Sequence, residues 1–103
     1  MAKIDVESLN IRQDTSEEKF YINMKGAEEI YLKYRLHTDQ TPNVVEVVKT
    51  YVPEVLDGIG IAGELAYQVM LFADKNGYKI VPTCPTFNGH LSKHPEFHHL
   101  KTK

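Results

Sequence analysis

A glycine-rich segment, residues 57–63 with the sequence DGIGIAG, directly follows a predicted strand and opens a predicted helix. The first turn of a helix has unpaired N–H groups and a partial positive charge, and missing side chains let a phosphate group reach them. The segment lacks the Gly-Lys-Ser/Thr ending of a nucleotide P-loop, and no β-α-β unit with an acidic ribose ligand follows it. It is predicted to be either a diphosphate-binding helix start or a tight strand-to-helix corner that requires small residues.

The single cysteine, Cys84, follows a predicted strand and precedes Pro85 at a predicted helix start. The positive end of a helix favours the thiolate over the thiol, so Cys84 is a candidate reactive group. The alternative is a small buried residue, because free cysteine is among the residue types most often buried. One cysteine cannot form an internal disulfide, which excludes a disulfide-stapled secreted fold.

Histidines and carboxylates supply the remaining candidate groups. His94 and His98 are four residues apart, but a proline interrupts the helical register and no Cys or Asp cluster completes a metal site. No metal site is therefore predicted, and these histidines are expected at the surface or at helix ends. His37 lies at the end of a predicted strand, from which it could reach the candidate site, but its position there is not predicted. No general base stands out, because Glu46 and Glu54 are predicted to be surface charges.

The elements that position these groups are predicted in the order β-β-β-α-β-α. Three β-rich runs form an antiparallel meander. Asp57 is predicted to cap a helix with its first turn at 58–61, and apolar residues recur at helical spacing as far as a stop at Asn76-Gly77. This helix crosses between the third and fourth strands, which are then parallel. The predicted strands are 20–22, 29–36, 44–52 and 78–82; 85–91 is a loop running into a short helix, and 94–100 is another helical turn.

Length and composition predict one ordinary globular domain. The chain has 103 residues, with 12 Lys+Arg, 14 Asp+Glu and a formal charge of −2. We predict a polar arm at 1–19, with a short strand at 4–11, and one domain at 20–103. The charge argues against a general nucleic-acid binder, which needs a clustered basic excess. No apolar run approaches the roughly 20 residues of a membrane span, and the start lacks a signal-peptide core, so no membrane partner and a cytoplasmic location are expected.

Four short sequence blocks carry a family resemblance. They are KTYVP at 49–53, GIGIA at 58–62, PTCP at 82–85 and HPE at 94–96. Together, in this order and at this spacing, they make residues 20–100 similar to the minimal single-domain branch of the GNAT acetyltransferase superfamily. The resemblance implies an α/β fold with a mixed sheet, in which an antiparallel meander is followed by a helix, a parallel strand and a short C-terminal helix.

The same resemblance implies acetyl-CoA as cofactor and an amine, from a small molecule or a protein, as acceptor of the acetyl group. It places the pyrophosphate at the glycine-rich helix start and the pantetheine arm between two splayed parallel strands, 44–52 and 79–82. Cys84 then lies at the acyl end, as acyl acceptor, as proton donor to the departing CoA thiolate, as a site of redox capture by CoA, or as a packing residue. The implied CoA-binding residues are Val48, Thr50 and Val52 for the pantetheine arm and Gly58, Gly60, Ile61, Ala62 and Gly63 for the diphosphate.

Two positions depart from the family pattern. Lys49 stands where the family usually has histidine, and Asp57 stands where the superfamily motif begins with Arg or Gln. Two like charges ~6 Å apart repel by about 3 kcal/mol at an effective dielectric constant of ~20, so Asp57 is expected to weaken the binding of a diphosphate. The alternative function is therefore a CoA-binding or protein-interaction module with little catalysis.

Overall fold

The computed structural model describes residues 10–23, 29–54 and 60–102 of the chain. Its elements, in chain order, are β1 (Arg12–Asp14), β2 (Lys19–Ile22), β3 (Ile30–His37), β4 (Val44–Tyr51), α1 (Ile61–Asn76), β5 (Lys79–Val81), α2 (Pro85–Ser92) and a 3₁₀ helix (Pro95–Leu100). Within the described residues, one five-stranded sheet has the strand order β1-β2-β3-β4-β5. The pairs β1–β2, β2–β3 and β3–β4 are antiparallel, whereas β4 and β5 are parallel and are joined through α1.

The predicted meander, crossing helix and parallel strand are confirmed. Helix α1 ends where predicted, because Gly77 adopts φ 72°, the left-handed conformation that closes many helices. The sheet has one strand more than predicted, since β1 forms within the segment assigned to a polar arm and pairs with β2. The end of segment 1–19 is therefore part of the sheet, while the strand expected at 4–11 falls mostly on residues 1–9, outside the described part.

The core lies between one face of the sheet and α1. Along β3, Ile30, Leu32 and Tyr34 are at most 4% exposed, and they alternate with side chains that point to the opposite face. Phe87 and Leu91 of α2 join the same core. The buried residues of α1 follow the helical spacing predicted from the sequence; they are Ile61, Leu65, Ala66, Val69, Met70 and Ala73. These buried side chains put the helices on one face of the sheet.

Aromatic rings connect the sheet to α1. The rings of Phe20, Tyr34 and Phe72 lie within 5.6–5.8 Å of one another, as centroid distances. Tyr34 therefore belongs to the core, whereas Tyr31 lies on the opposite face of the sheet. In the described part of the chain, no helix combines the length and the apolar content needed to span a membrane.

Candidate active site

A β-bulge in β4 turns Thr50 toward the helices. The pairing register between β3 and β4 skips Val48. Before the skip, Val45 and Val47 face the core; after it, Thr50 stands opposite the core-facing Leu32 and takes the same face. A bulge adds one residue to a strand and so reverses the alternation of every side chain that follows. Without it, Thr50 would point to the other side of the sheet.

Strands β4 and β5 diverge just before this bulge. They pair only over Val44–Glu46 and Lys79–Val81. The next link is the N–H of Cys84, which donates to the Val47 carbonyl over 3.0 Å. Beyond that link a cleft of about 490 Å³ opens between the end of β4 and the first turns of α1 and α2. The described residues that line it are Thr50, Tyr51, Val52, Glu54, Ala62 and Thr86.

Cys84 occupies the N-cap of α2, and its Sγ lies 4.0 Å from Thr50 Oγ1. Burial alone would raise the pKa of the Cys84 thiol. Hydrogen bonds from the N–H of Phe87, the hydroxyl of Thr50 and the N–H groups of Thr86 and Thr50 outweigh burial, so the pKa lies below its ordinary value. Two of these donors belong to the start of α2, as expected for a thiol at the positive end of a helix.

Helix α1 begins later than predicted. Gly60 is its N-cap with φ 94°, a left-handed conformation outside the helix, and it provides no side-chain cap. Its carbonyl accepts the first helical hydrogen bond, from the N–H of Glu64 over 3.1 Å. The prediction of a first turn at 58–61 capped by Asp57 is therefore wrong, because the cap position belongs to Gly60. Asp57 and Gly58 lie outside the described residues.

The other residues assigned to the diphosphate and the pantetheine arm have different surroundings. The side chain of Ile61 is in the core, 1% exposed, whereas Ala62 lines the cleft. Val48 is 41% exposed at the bulge and is not among the described lining residues. A Cβ on Gly63 would lie 3.4 Å from His90 Cε1, so this glycine also lets α1 and α2 pack closely.

Residues 19–100 match the protein family described as GCN5-related N-acetyl-transferase. The match runs from β2 to the 3₁₀ helix and includes the cleft. The chain belongs to this family. That confirms the resemblance and the α/β fold it implies, and it supports an acetyltransferase kind of activity. No curated protein shows detectable similarity to the chain.

A hydrogen-bonded cluster next to Cys84 was missed at the level of sequence. His37 Nε2 donates to Glu46 Oε1 over 2.9 Å, and the Thr83 hydroxyl donates to Glu46 Oε2 over 2.9 Å. These bonds, that from His37 first, hold the pKa of Glu46 below its usual range. Glu46 is half-buried and hydrogen-bonded, whereas the sequence predicted an ordinary surface charge. Because Glu46 alternates with buried Val47, its carboxylate lies on the sheet face opposite the core. Glu46 is one residue before Val47, whose carbonyl accepts from the N–H of Cys84.

Asn88 adds an acceptor that sequence patterns did not indicate. Its Oδ1 is buried and has no hydrogen-bond partner among the described residues. Asn88 follows Cys84 by one helical turn, and the i,i+4 spacing puts both on one side of α2. A buried polar atom left unpaired costs free energy, so this oxygen fits a ligand that brings N–H groups.

A second cleft, of about 440 Å³, also borders the start of α1. It meets the helix at Gly60 and Gly63, two of the residues assigned to the diphosphate. Its described lining residues are Gly60, Gly63, Glu64, Tyr67, His94 and Glu96. Phosphate-sized space is therefore available at the helix start, with an imidazole beside it.

The C-terminal histidines have separate partners. His94 Nδ1 lies 3.2 Å from Glu96 Oε2, His98 Nε2 donates to the Leu91 carbonyl over 3.1 Å, and His99 Nε2 lies 3.1 Å from an oxygen of Asp74. Within residues 10–23, 29–54 and 60–102, no three His, Cys, Asp or Glu side chains are placed to hold a metal ion.

Proposed function

We propose that this protein binds acetyl-CoA in the cleft between the end of β4 and the first turns of α1 and α2, and transfers the acetyl group to an amine. The observation that carries the proposal is the divergence of two parallel strands beside Cys84, in a chain of an acetyltransferase family. A cleft of about 490 Å³ is within the range of small-molecule sites.

The proposed site for the pantetheine arm combines backbone and side-chain groups. Beyond Glu46 the structure describes no β5 residue paired with β4, so amides of the arm can bind this edge as a strand would. Asn88 Oδ1, one helical turn after Cys84 and outside the described lining of the cleft, is a buried acceptor without a described donor, which an amide of the arm can supply. Val52 and Ala62 supply apolar contacts from the two sides of the cleft. Val48, exposed at the bulge, contributes through its backbone alone on this proposal.

The diphosphate is assigned to the start of α1. The N–H groups of Ile61, Ala62 and Gly63 belong to the first turn, where the positive end of the helix attracts anions. Gly60 and Gly63 keep this turn free of bulky side chains. Gly58 remains an expected ligand on the basis of the family resemblance, and Asp57 an expected source of repulsion.

Acetyl-CoA, when bound, supplies an activated acetyl group as a thioester. The hydrogen bonds around Cys84 lower the pKa of its thiol, which favours attack by the thiolate over proton donation by the thiol. We therefore assign Cys84 as nucleophile: Sγ receives the acetyl group, the thioester C–S bond breaks, and the amine then takes the acetyl group from Sγ. Proton donation to the departing CoA thiolate, redox capture by CoA and simple packing are the alternatives that the experiments below must exclude.

The amine loses one proton when the amide forms, and the proposal assigns that proton to His37. Glu46 stays ionised and holds the imidazole, and the Thr83 hydroxyl holds Glu46 in turn. Thr83 directly precedes Cys84 in the chain, and its bond to Glu46 connects the His37–Glu46 pair, on the sheet face opposite Thr50, with the acyl end of the proposed site. A histidine reached directly or through water is suited to this task at neutral pH.

Binding is tested by titrating the protein with CoA and following backbone amide chemical shifts. Changes are expected at 50–52, at 60–63 and at Asn88, with small changes in β1 and β2. If saturating CoA moves neither the end of β4 nor the start of α1, the cleft is not the CoA site.

Turnover is tested separately, with acetyl-CoA and a panel of amines. Intact mass spectrometry after exposure to acetyl-CoA alone should show one acetyl group on the wild-type protein and none on Cys84→Ala. Cys84→Ala should bind CoA but lose most transfer activity. A fully active Cys84→Ala variant would reduce Cys84 to a packing residue, and a CoA-bound protein without turnover would favour the non-catalytic module.

A further inference from the structure

The sheet face opposite the helices carries two ordered rows of side chains. The register across the strands places Arg12, Tyr21, Tyr31 and Tyr51 side by side in one row. It places Asp14, Lys19, Lys33 and Lys49 side by side in the next row. These side chains alternate with the buried ones of β2 and β3, so they share the outer face, where the described residues leave them half-buried or exposed.

The tyrosine row is a connected aromatic surface. The rings of Tyr31 and Tyr51 lie 5.6 Å apart, as a centroid distance, with 30° between their planes. Lys19 Nζ lies 5.2 Å from the centre of the Tyr21 ring and Lys49 Nζ lies 6.0 Å from that of Tyr31. Lys19 and Lys49 thus lean over the Tyr21 and Tyr31 rings, so the cations and the aromatic rings form one continuous surface.

Two lysines of the second row (the lysine row), Lys33 and Lys49, form no ion pair with a described residue. Both of these lysines are exposed. Lys19 of the same row pairs with Glu29 over 2.7 Å. The carboxylate of Glu46, on the same face, is already engaged by His37 and Thr83. The face therefore has positive charge available for an anionic partner.

We propose that this outer face binds single-stranded nucleic acid, with bases stacked on the tyrosine row and phosphates on the lysine row. Neighbouring strands are ~4.8 Å apart, and residues two positions along a strand are about 7 Å apart, so the two rows run parallel at roughly that separation. A single nucleic-acid strand likewise presents a line of flat bases beside a line of phosphates. Aromatic platforms bordered by cations are the usual surfaces for it.

Other occupants match the face less well. A second copy packed face to face would bring one lysine row against another, and like charges oppose that contact. An acidic peptide would neutralise Lys33 and Lys49 but offers nothing flat for the tyrosines. The net charge of −2 does not conflict with the proposal, because Asp14 lies opposite Lys19 and Glu46 is held by His37 and Thr83, while exposed acids such as Asp74 and Glu96 lie on the helical side of the molecule.

The test is fluorescence anisotropy of a labelled oligouridylate or oligothymidylate of about ten nucleotides, the length scale of one small binding platform. Tyr31→Leu is expected to weaken binding at least fivefold, because a base loses its stacking partner. The double variant Lys33→Gln/Lys49→Gln should reduce the slope of log K against log salt by about 1.4, two phosphate contacts at ~0.7 each. Lys75→Gln/Lys93→Gln removes the same charge from α1 and the end of α2 and should leave binding unchanged.

Four results would overturn the proposal. They are the absence of binding at low salt, equal loss in the two lysine double variants, equally tight binding of polyglutamate, and displacement of the oligonucleotide by acetyl-CoA. Polyglutamate binding would identify the occupant as an acidic peptide, and displacement by acetyl-CoA would place the oligonucleotide in the cleft. Circular dichroism of each variant shows whether it is folded. If Tyr31→Leu does not fold, the lysine variants still decide the test, because Lys33 and Lys49 are exposed in the wild type.

Discussion

The thiol of Cys84 has an environment that one hydroxyl should change measurably. Thr50→Val keeps the shape of the side chain but removes the hydroxyl 4.0 Å from Sγ, which lowers the pKa of Cys84 in the wild type, so this pKa should rise. Alkylation by iodoacetamide, which requires the thiolate, should then reach half its maximal rate at a higher pH than in the wild type. Thr86→Val is the matched control, because Thr86 acts on Cys84 through its backbone N–H alone. Equal profiles for all three proteins would contradict the role of the Thr50 hydroxyl.

The carboxyl group of Glu46 predicts a specific pH dependence of stability. Its pKa in the folded protein is lowered by hydrogen bonds from His37 and Thr83. A group of this kind stabilises the fold above its ordinary pKa, and the contribution is lost as the pH falls through the folded pKa. Glu46→Gln should therefore lower the free energy of unfolding near neutral pH, with a difference from wild type that shrinks in the acid range.

The measurement is urea unfolding of both proteins at a series of pH values. Glu54→Gln is the control, because Glu54 is exposed and has no ion pair with a described residue. A Glu46→Gln difference that is constant from neutral to acid pH would show that the carboxylate charge contributes nothing and that packing alone matters.

Two residues singled out from the sequence, Cys84 and Thr50, do lie together, whereas Asn88 and the His37–Glu46 pair were missed. A lone thiol at a strand-helix junction is recognisable from residue type and neighbours. The importance of Asn88 depends on the burial of its side-chain oxygen, which cannot be predicted from the residue type alone. The His37–Glu46 contact joins adjacent strands through a register that depends on the intervening turn, so no local pattern encodes it.

Helices and strands were predicted well where a single residue type decides, and less well where two signals compete. The end of α1 at Gly77 was correct because glycine alone adopts its left-handed conformation at low cost. The start of α1 was wrong because aspartate is a favoured N-cap, which pointed to Asp57, while Gly60 breaks the helical repeat three residues later. The bulge at Val48 was not predicted, because a nearly continuous apolar run does not show which residue is left out of the strand pairing.

Two glycines in different elements should respond in opposite directions to the same substitution. Gly77→Ala places a side chain at φ 72°, which costs about 1 kcal/mol or more, although no described atom stands within 4 Å of the new Cβ. Gly89→Ala, inside α2 and equally free of neighbours, should stabilise the protein by about 0.5–1 kcal/mol, because alanine loses less entropy in a helix. Equilibrium urea unfolding measures both. Shifts of the same sign would mean that local contacts, not backbone conformation, control these positions.

At the scale of the whole molecule, one helix serves both the core and the cleft. The first residue of α1, Ile61, is buried against the sheet, while the next, Ala62, lines the cleft. A domain of about 100 residues buries a limited fraction of its surface and is stabilised by a small margin. A ligand that joins the end of β4 to the starts of α1 and α2 should therefore stabilise the entire fold, not only the site.

This coupling gives a test by thermal unfolding. CoA at about 100 times its Kd contributes ~2.7 kcal/mol, which raises the Tm of a domain of this size by roughly 10–20 °C. Ala62→Leu, a good helix former, should keep the unliganded Tm within a few degrees but fill the cleft and abolish the increase with CoA. Lys93→Gln, at the far end of α2, should respond to CoA as the wild type does. If Ala62→Leu is still stabilised by CoA to the wild-type extent, the ligand binds elsewhere, and the second cleft beside Tyr67 and His94 becomes the next site to examine.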